Sequence, residues 1–122
     1  VSPSAIDENA AGNLVYTLTR NPVSASTLTV NLQTSGTATA GTDFTGNVAS
    51  VTFAANAATA TVNINPTGDT TIEPDETVIL TVTNGTGYTV GSPSSATGTI
   101  RNDDFPALSV NDVSLAEGNS GN

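Results

Sequence analysis

The chain has 122 residues, with 11 Asp and Glu against 2 Lys and Arg, so its net charge is −9, and it contains no Cys and no His. Such an acidic chain is a poor partner for nucleic acid and for anionic membrane surfaces, which bind proteins through Lys and Arg. Disulfides, thiolate or imidazole metal sites and His-based catalytic triads are excluded, and no apolar run approaches the roughly 18 residues that span a membrane.

Short runs of alternating apolar and polar residues recur along the chain, and they predict seven β-strands. The strands are expected near residues 1–6 and over residues 14–20, 27–34, 51–53, 59–65, 77–84 and 96–101. No stretch has a convincing helical period. Several short strands separated by clusters of Gly, Asn, Pro and Ser predict an all-β fold, an antiparallel sandwich or barrel.

The seven connections that follow these strands differ sharply in charge. They cover residues 7–13, 21–26, 36–47, 55–58, 67–76, 85–95 and 102–106. Each connection of an antiparallel sandwich reverses the chain, so the odd-numbered loops lie at one end and the even-numbered loops at the other. The acidic loop residues all fall in odd-numbered loops: Asp7, Glu8, Asp43, Asp69, Glu73, Asp75, Glu76, Asp103 and Asp104. The sequence therefore predicts one acidic end, the acidic pole, and an uncharged opposite pole.

Carboxylates gathered at one end need water, protons or a cation to offset their repulsion, and only Arg101 lies next to them in the sequence. Calcium is the best match, because it takes six to eight oxygen ligands at about 2.3–2.6 Å and tolerates flexible geometry. The fifth loop has the densest signal, Gly68-Asp69-Thr70-Thr71-Ile72-Glu73-Pro74-Asp75-Glu76, and no EF-hand motif is present. The alternative is that these acids are solvated turn residues. Glycoside hydrolysis by a carboxylate pair is not favoured, since it requires a sheltered cleft lined by aromatic residues.

An internal repeat appears near the end of the chain. Residues 6–13 resemble residues 115–122, with Ile6 corresponding to Leu115, an offset of 109 residues. A new copy therefore starts near Ala107, and residues 107–122 are predicted to be the first strand and first loop of a second, truncated repeat. We expect the sequence to be a piece of a tandem array, with Asp112 and Glu117 solvated in this fragment.

Four segments in this order resemble a Calx-β domain over about residues 1–106: Asp7-Glu8-Asn9, Gly36-Thr37-Ala38-Thr39-Ala40-Gly41-Thr42-Asp43-Phe44, Gly68 to Glu76, and Ile100-Arg101-Asn102-Asp103-Asp104. The resemblance implies a seven-stranded antiparallel immunoglobulin-like β-sandwich that holds Ca²⁺ at one tip. The ligands it implies are Glu8, Asp43, Asp69, Glu73, Asp103, Asp104 and the backbone carbonyl of Thr71. Gly68 and Asn102 stand where exchanger-like members have acids, which predicts fewer ions or weaker binding.

The expected function is that of a non-enzymatic, calcium-binding structural or adhesive repeat in a larger protein, where the ion rigidifies the domain and the joint between repeats. Its expected partners are calcium ions, neighbouring repeats of the same chain and a protein or glycan adhesion target, without nucleic acid or membrane insertion. An extracellular or cell-surface location is predicted. Two alternatives remain open: a calcium sensor that regulates an attached protein, and a calcium-independent spacer or adhesion domain.

Overall fold

The computed structural model describes residues 1–106, and the predicted start of a second repeat, residues 107–122, lies outside the described residues. Within the described part the chain forms eight strands and no helix. The strands are β1 (Ala5–Asp7), β2 (Leu14–Thr19), β3 (Leu28–Ser35), β4 (Phe44–Thr45), β5 (Ser50–Phe53), β6 (Thr59–Pro66), β7 (Glu76–Val82) and β8 (Ser95–Arg101). Residues 1–106 include no apolar helix of the length needed to cross a membrane.

Two sheets make up the domain, one with the strand order β1-β8-β7-β3-β5 and the other with the order β2-β6-β4. Neighbouring strands are antiparallel except β1 and β8, which are parallel. The first residues change sheets, since Ser2 pairs with Val15 of β2 whereas β1 pairs with β8. The predicted all-β sandwich is confirmed, with two differences: the short strand β4 lies inside the predicted third loop, and β1 is not antiparallel to its neighbour.

Alternation places apolar side chains of both sheets between the layers. Each strand contributes at least one of the buried residues Ile6, Leu14, Tyr16, Val30, Leu32, Phe44, Phe53, Val62, Ile64, Val78, Leu80 and Ile100. A buried hydrogen bond joins the sheets, because the Tyr16 hydroxyl donates to the Val78 carbonyl at 2.7 Å. Burial raises the pKa of Tyr16 to about 12, so this hydroxyl keeps its proton.

Arg20 organises the opposite pole. Its guanidinium donates to the backbone carbonyls of Ser24, Ser26, Ala54 and Ala57 at distances between 2.7 and 3.0 Å. It also lies over the Phe53 ring, 5.3 Å from the ring centroid. One side chain thus joins the loop after β2 to the loop after β5, and its bonds to main-chain oxygens depend little on the side chains in those loops.

Candidate metal site

The connections after β1, β3, β6 and β8 meet at one end of the sandwich. The amide of Asp69 after β6 donates to Glu8 Oε2 at 3.4 Å, and the amide of Glu73 donates to Asn102 Oδ1 at 3.3 Å. Beside these contacts, two groups of carboxylates draw together, each with oxygen atoms lying within 4.8 Å of one another. We call them cluster 1, formed by Glu8, Asp69 and Asp104, and cluster 2, formed by Asp43, Glu73 and Glu76.

Cluster 1 joins the first, fifth and seventh loops of the domain, which contribute Glu8, Asp69 and Asp104 respectively. The side chain of Glu8 is buried, with only 5% of the residue exposed, although it is an acid. Asp104 Oδ2 is buried and has no hydrogen-bond partner among the described residues. A buried anionic oxygen without a donor is costly unless a cation or a proton compensates it.

Cluster 2 joins the third loop to the fifth loop and the beginning of β7. Asp43 is also buried, with 8% of the residue exposed, and its Oδ2 accepts a hydrogen bond of 2.6 Å from the Thr39 amide. The adjacent Phe44 is buried in β4 and fixes this end of the third loop to the core. Asp43 therefore approaches Glu73 and Glu76 from a backbone segment that is fixed to the core.

The dimensions of both clusters fit one hard cation each. Two oxygens bound to the same calcium ion at about 2.4 Å can be separated by at most about 4.8 Å. Carboxylates are the oxygen ligands that calcium prefers, whereas zinc and copper favour imidazole or thiolate. The residues present therefore fit calcium in type and spacing.

The pKa values of three carboxyls in the clusters are raised, which means that their negative charges are unfavourable without a cation. Burial, followed by the neighbouring Asp104 carboxyl, raises the pKa of Glu8 to about 7. Burial, followed by the charge of Asp43, raises the pKa of Glu76 to about 7. Loss of hydration and then the charge of Asp69 raise the pKa of Glu73. A bound divalent cation would reverse these effects, because it stabilises the charged form of each carboxyl.

Two of the predicted ligands lie outside the clusters. Asp103 accepts hydrogen bonds from the Asn9 amide at 3.2 Å and from Asn9 Nδ2 at 2.7 Å, so its carboxylate ties the last segment to the first loop. Thr71 is exposed, and its amide donates to Asp69 Oδ1 at 2.7 Å. The predicted role of Thr71 used its carbonyl, whereas the contact described here uses its N–H to orient Asp69.

Glu76 belongs to cluster 2 although it was not among the predicted ligands. A signal for it exists in the sequence, since Glu76 lies two and four residues before Val78 and Leu80, whose side chains are buried. Successive side chains of a strand alternate between faces, so Glu76 lies on the same face of β7 as these core residues. Glu76 is therefore a stronger candidate ligand than its neighbour Asp75, whose Oδ1 accepts a hydrogen bond from the Asn102 backbone amide.

Neutral residues, Gly68 and Asn102, stand at the two positions where the expected pattern has acids. Asn102 Oδ1 accepts from the amides of Glu73 and Asp104 at 3.3 and 3.2 Å, and its Nδ2 donates to the Asp104 carbonyl at 2.7 Å. At Gly68, an added Cβ would collide with Asn9 Oδ1. Asn102 thus fixes the backbone beside the clusters, whereas Gly68 leaves room for the Asn9 side chain.

Comparisons with known proteins agree with this geometry. The family model for the Calx-beta domain matches residues 3–104. Among solved structures, the chain is similar to the calcium binding domain CBD12 of CALX1.1 (28% identity, TM-score 0.69, covering 82% of this chain and 41% of that one). It is also similar to CBD12 from CALX1.2 (28% identity, TM-score 0.68, covering 84% and 43%) and to the apo-form Calx CBD1 domain (29% identity, TM-score 0.68, covering 82% and 89%). The chain thus spans about two fifths of the first two. No curated protein matches it by sequence.

The predicted extracellular or cell-surface location is wrong. The similar solved domains belong to the cytoplasmic loop of a Na⁺/Ca²⁺ exchanger and are intracellular. A tandem-repeat architecture by itself carries no information about the compartment.

Proposed function

Because this chain belongs to the Calx-beta family, we propose that it is a calcium-binding structural module that holds Ca²⁺ in clusters 1 and 2. Domains of this family are regulatory or structural calcium-binding modules rather than catalysts, and the calcium-binding ones stand in tandem with neighbouring domains. The observation that carries the proposal is the convergence of five carboxylates from four connections, together with Glu76 at the start of β7, into two groups of calcium dimensions.

The ligands proposed from the clusters are Glu8, Asp69 and Asp104 at one position and Asp43, Glu73 and Glu76 at the other. Asp103 and the Thr71 carbonyl remain proposed ligands from the family resemblance. In the geometry described here, Asp103 accepts hydrogen bonds from Asn9, and the Thr71 N–H donates to Asp69. The ion would supply positive charge that neutralises mutually repelling loops. The chain's own part is to hold the carboxylates close together through Asn9, Asn102 and the Asp69 turn.

The position of Asp104 extends this role to the joint between repeats. Asp104 follows β8 directly and is followed by Phe105 and Pro106, which lead into the predicted second repeat. An ion shared by Glu8, Asp69 and Asp104 would fix the exit of the chain to the first and fifth loops. We therefore propose that calcium stiffens both the domain and its connection to the next one.

Thermal unfolding with calcium and with a chelator tests the proposal. We expect calcium to raise the Tm, because an ion bound only to the folded state adds about 2.7 kcal/mol at 100 times its Kd. Replacing Asp69 with Asn and Glu73 with Gln should remove the shift, whereas Asp7→Asn should retain it, since Asp7 pairs with Arg101 outside both clusters. A calcium-induced rise in Tm that survives in the Asp69→Asn/Glu73→Gln protein would refute the proposed ligands. If calcium does not change the Tm of the parent chain, the domain is a calcium-independent spacer.

A second candidate is a calcium sensor that regulates an attached protein, and the similarity to exchanger calcium-binding domains favours it. The calcium concentration at which the Tm rises distinguishes the two. Sensors respond at about 10⁻⁷–10⁻⁵ M, whereas weak structural modules bind at about 10⁻⁴–10⁻³ M. Neutral Gly68 and Asn102 favour the weaker range.

A further inference from the structure

The connection between β7 and β8, residues 83–94, contains the only Asn-Gly pair of the chain, Asn84-Gly85. Both residues are exposed, and they follow the end of β7 at the opposite pole. Asparagine is one of the chemically labile residues, and a glycine after it leaves the next backbone nitrogen unshielded by a side chain. The pair therefore places an accessible side-chain amide beside an accessible backbone N–H.

A tight turn is the usual structural reason for an Asn-Gly pair, since both residues then adopt positive φ. That reason does not apply to Asn84 and Gly85. Within residues 1–106, Asn56 is the only non-glycine residue with positive φ, and Gly85 is not among the glycines with positive φ. The backbone conformation therefore does not account for the pair.

Close packing explains the glycine instead. A Cβ added at Gly85 would lie 2.5 Å from the Tyr88 hydroxyl and 2.9 Å from Asn31 Nδ2. These neighbours are themselves fixed, because the Tyr88 hydroxyl donates to the Thr83 carbonyl and accepts from the Asn31 backbone amide at 3.0 Å. The fold thus requires glycine after Asn84 and exposes its nitrogen as a consequence.

Hydrogen bonds hold the main chain at Asn84 but not the two groups that could react. The Asn84 carbonyl accepts from Asn31 Nδ2 at 3.1 Å. Among residues 1–106, no hydrogen bond involves the side-chain amide of Asn84 or the N–H of Gly85. The Asn84 side chain is therefore able to rotate toward the Gly85 nitrogen without breaking a contact of the fold.

We propose that Asn84 is a modification site, where the side-chain amide is lost by reaction with the following backbone nitrogen and with water. A base in solution removes the Gly85 N–H proton, and the nitrogen bonds to Asn84 Cγ. The Cγ–Nδ2 bond breaks, and the leaving nitrogen takes a proton from solvent and departs as ammonia. Water adds to either carbonyl of the resulting succinimide, and cleavage of the adjacent C–N bond gives aspartate or isoaspartate.

The modification adds a negative charge to a pole that lacks acids. Among residues 1–106, the connections at the opposite pole contain no Asp or Glu, and Arg20 has the only charged side chain there. In isoaspartate the main chain runs through the former side chain and is one atom longer, which displaces Gly85 from its position against Tyr88. We expect the connection to loosen from β3 in that product. The inference is independent of calcium and of the proposed function.

Ageing of the full chain in mildly alkaline buffer tests the site. We expect an acidic form to accumulate in anion-exchange chromatography as ammonia is released, and a protein isoaspartyl methyltransferase to label it. Peptic mapping should place the label at residue 84, at a rate that rises with hydroxide concentration. Asn47 and Asn56, exposed but followed by Val48 and Ala57, are internal controls and should react more slowly. An unmodified Asn84, or equal rates at the three positions, would overturn the proposal.

A pair of variants checks the assignment. Asn84→Gln keeps an exposed, uncharged amide but moves it one carbon farther from the Gly85 nitrogen, so the label at residue 84 should disappear. Asn56→Gln makes the same change at another exposed position and should leave the label unaltered. Labelling of the two proteins at the same rate would contradict the assignment to Asn84.

Comparison of the two products tests the consequence for the fold. Asn84→Asp supplies the aspartate form directly, and chromatography separates the isoaspartate form from aged protein. We expect the isoaspartate form to have the lower Tm, although both forms carry the same charge, because only its main chain is lengthened. Equal Tm values for the two forms would refute the loosening of the connection from β3.

Discussion

Arg20 and Arg101 are the only basic side chains, but they have very different surroundings. Arg20 donates hydrogen bonds to four backbone carbonyls and covers the Phe53 ring. Arg101 makes one salt bridge of 2.8 Å to Asp7, and the side chains of Arg101 and Asp7 are both about half exposed. A planar guanidinium can donate in several fixed directions, which an ammonium group cannot do.

Arg20→Lys is therefore expected to destabilise the domain by about 1–3 kcal/mol, the scale of hydrogen bonds made by a charged donor. Arg101→Lys is the matched control and should cost less than about 1 kcal/mol, as is usual for exposed ion pairs. Chemical denaturation of the two variants measures both values. Equal losses would contradict the role assigned to Arg20.

Single residues also show where sequence reasoning was sufficient and where it was not. The alternation of odd-numbered and even-numbered loops between the two ends of the sandwich identified the carboxylates at the acidic pole, including Glu8, Asp43 and Asp104. It could not separate Asp103 from Asp104, because adjacent residues share a loop and differ only in direction. Asp103 bonds to Asn9, while Asp104 turns into cluster 1.

At the scale of elements, strands with three or more alternating apolar residues were predicted to within about two residues. Residues 14–20, 27–34 and 59–65 were expected, and Leu14–Thr19, Leu28–Ser35 and Thr59–Pro66 are observed. Strand β4 has two residues and exists because Phe44 and Thr45 pair with Pro66 and Asn65. The parallel pairing of β1 with β8 likewise depends on residues distant in sequence, which local alternation does not encode.

The acidic loops make the stability of the metal-free domain depend on pH in an unusual direction. The pKa values of Glu8 and Glu76 rise from 4.5 to about 7 on folding, so the folded state binds more protons than the unfolded state between these values. In chelator, stability should be greatest at the acidic end of this window and fall as the pH rises through it. Melting curves measured across the window check the slope.

Calcium should have the opposite dependence, because its ligands must lose their protons before binding. The Tm increase produced by calcium is expected to grow from about pH 5 to about pH 8. Glu8→Gln should flatten the profile in chelator and reduce the calcium shift. A Tm in chelator that rises with pH across the window would contradict the raised pKa values.

For the whole molecule, the net charge of −9 should make the metal-free domain sensitive to salt. Added NaCl screens repulsion at the acidic pole, since the Debye length is about 10 Å at 0.1 M. The Tm in chelator should therefore rise with NaCl, and the rise should be smaller with saturating calcium. Parallel salt titrations of the Tm measure the difference, and equal slopes would show that the repulsion is not relieved by the ion.

The sandwich itself, its family and the location of its charge follow from alternation, loop parity and four short motifs. The compartment does not follow from these features, because it depends on the parent protein rather than on the domain. A similar limit applies to calcium affinity. Gly68 and Asn102 suggested a weakened site from their missing charges, but their contacts with Asn9 and Asp104 are visible only in three dimensions.

The connection between β6 and β7 contributes Asp69 to cluster 1 and Glu73 to cluster 2. Under the proposed function, one ion would already immobilise a segment that the other ion also needs in place. The entropy of ordering that segment is then lost only once, so the second ion binds more readily than the first. Such a domain would fill cooperatively, passing from flexible to rigid over a narrow interval of calcium concentration.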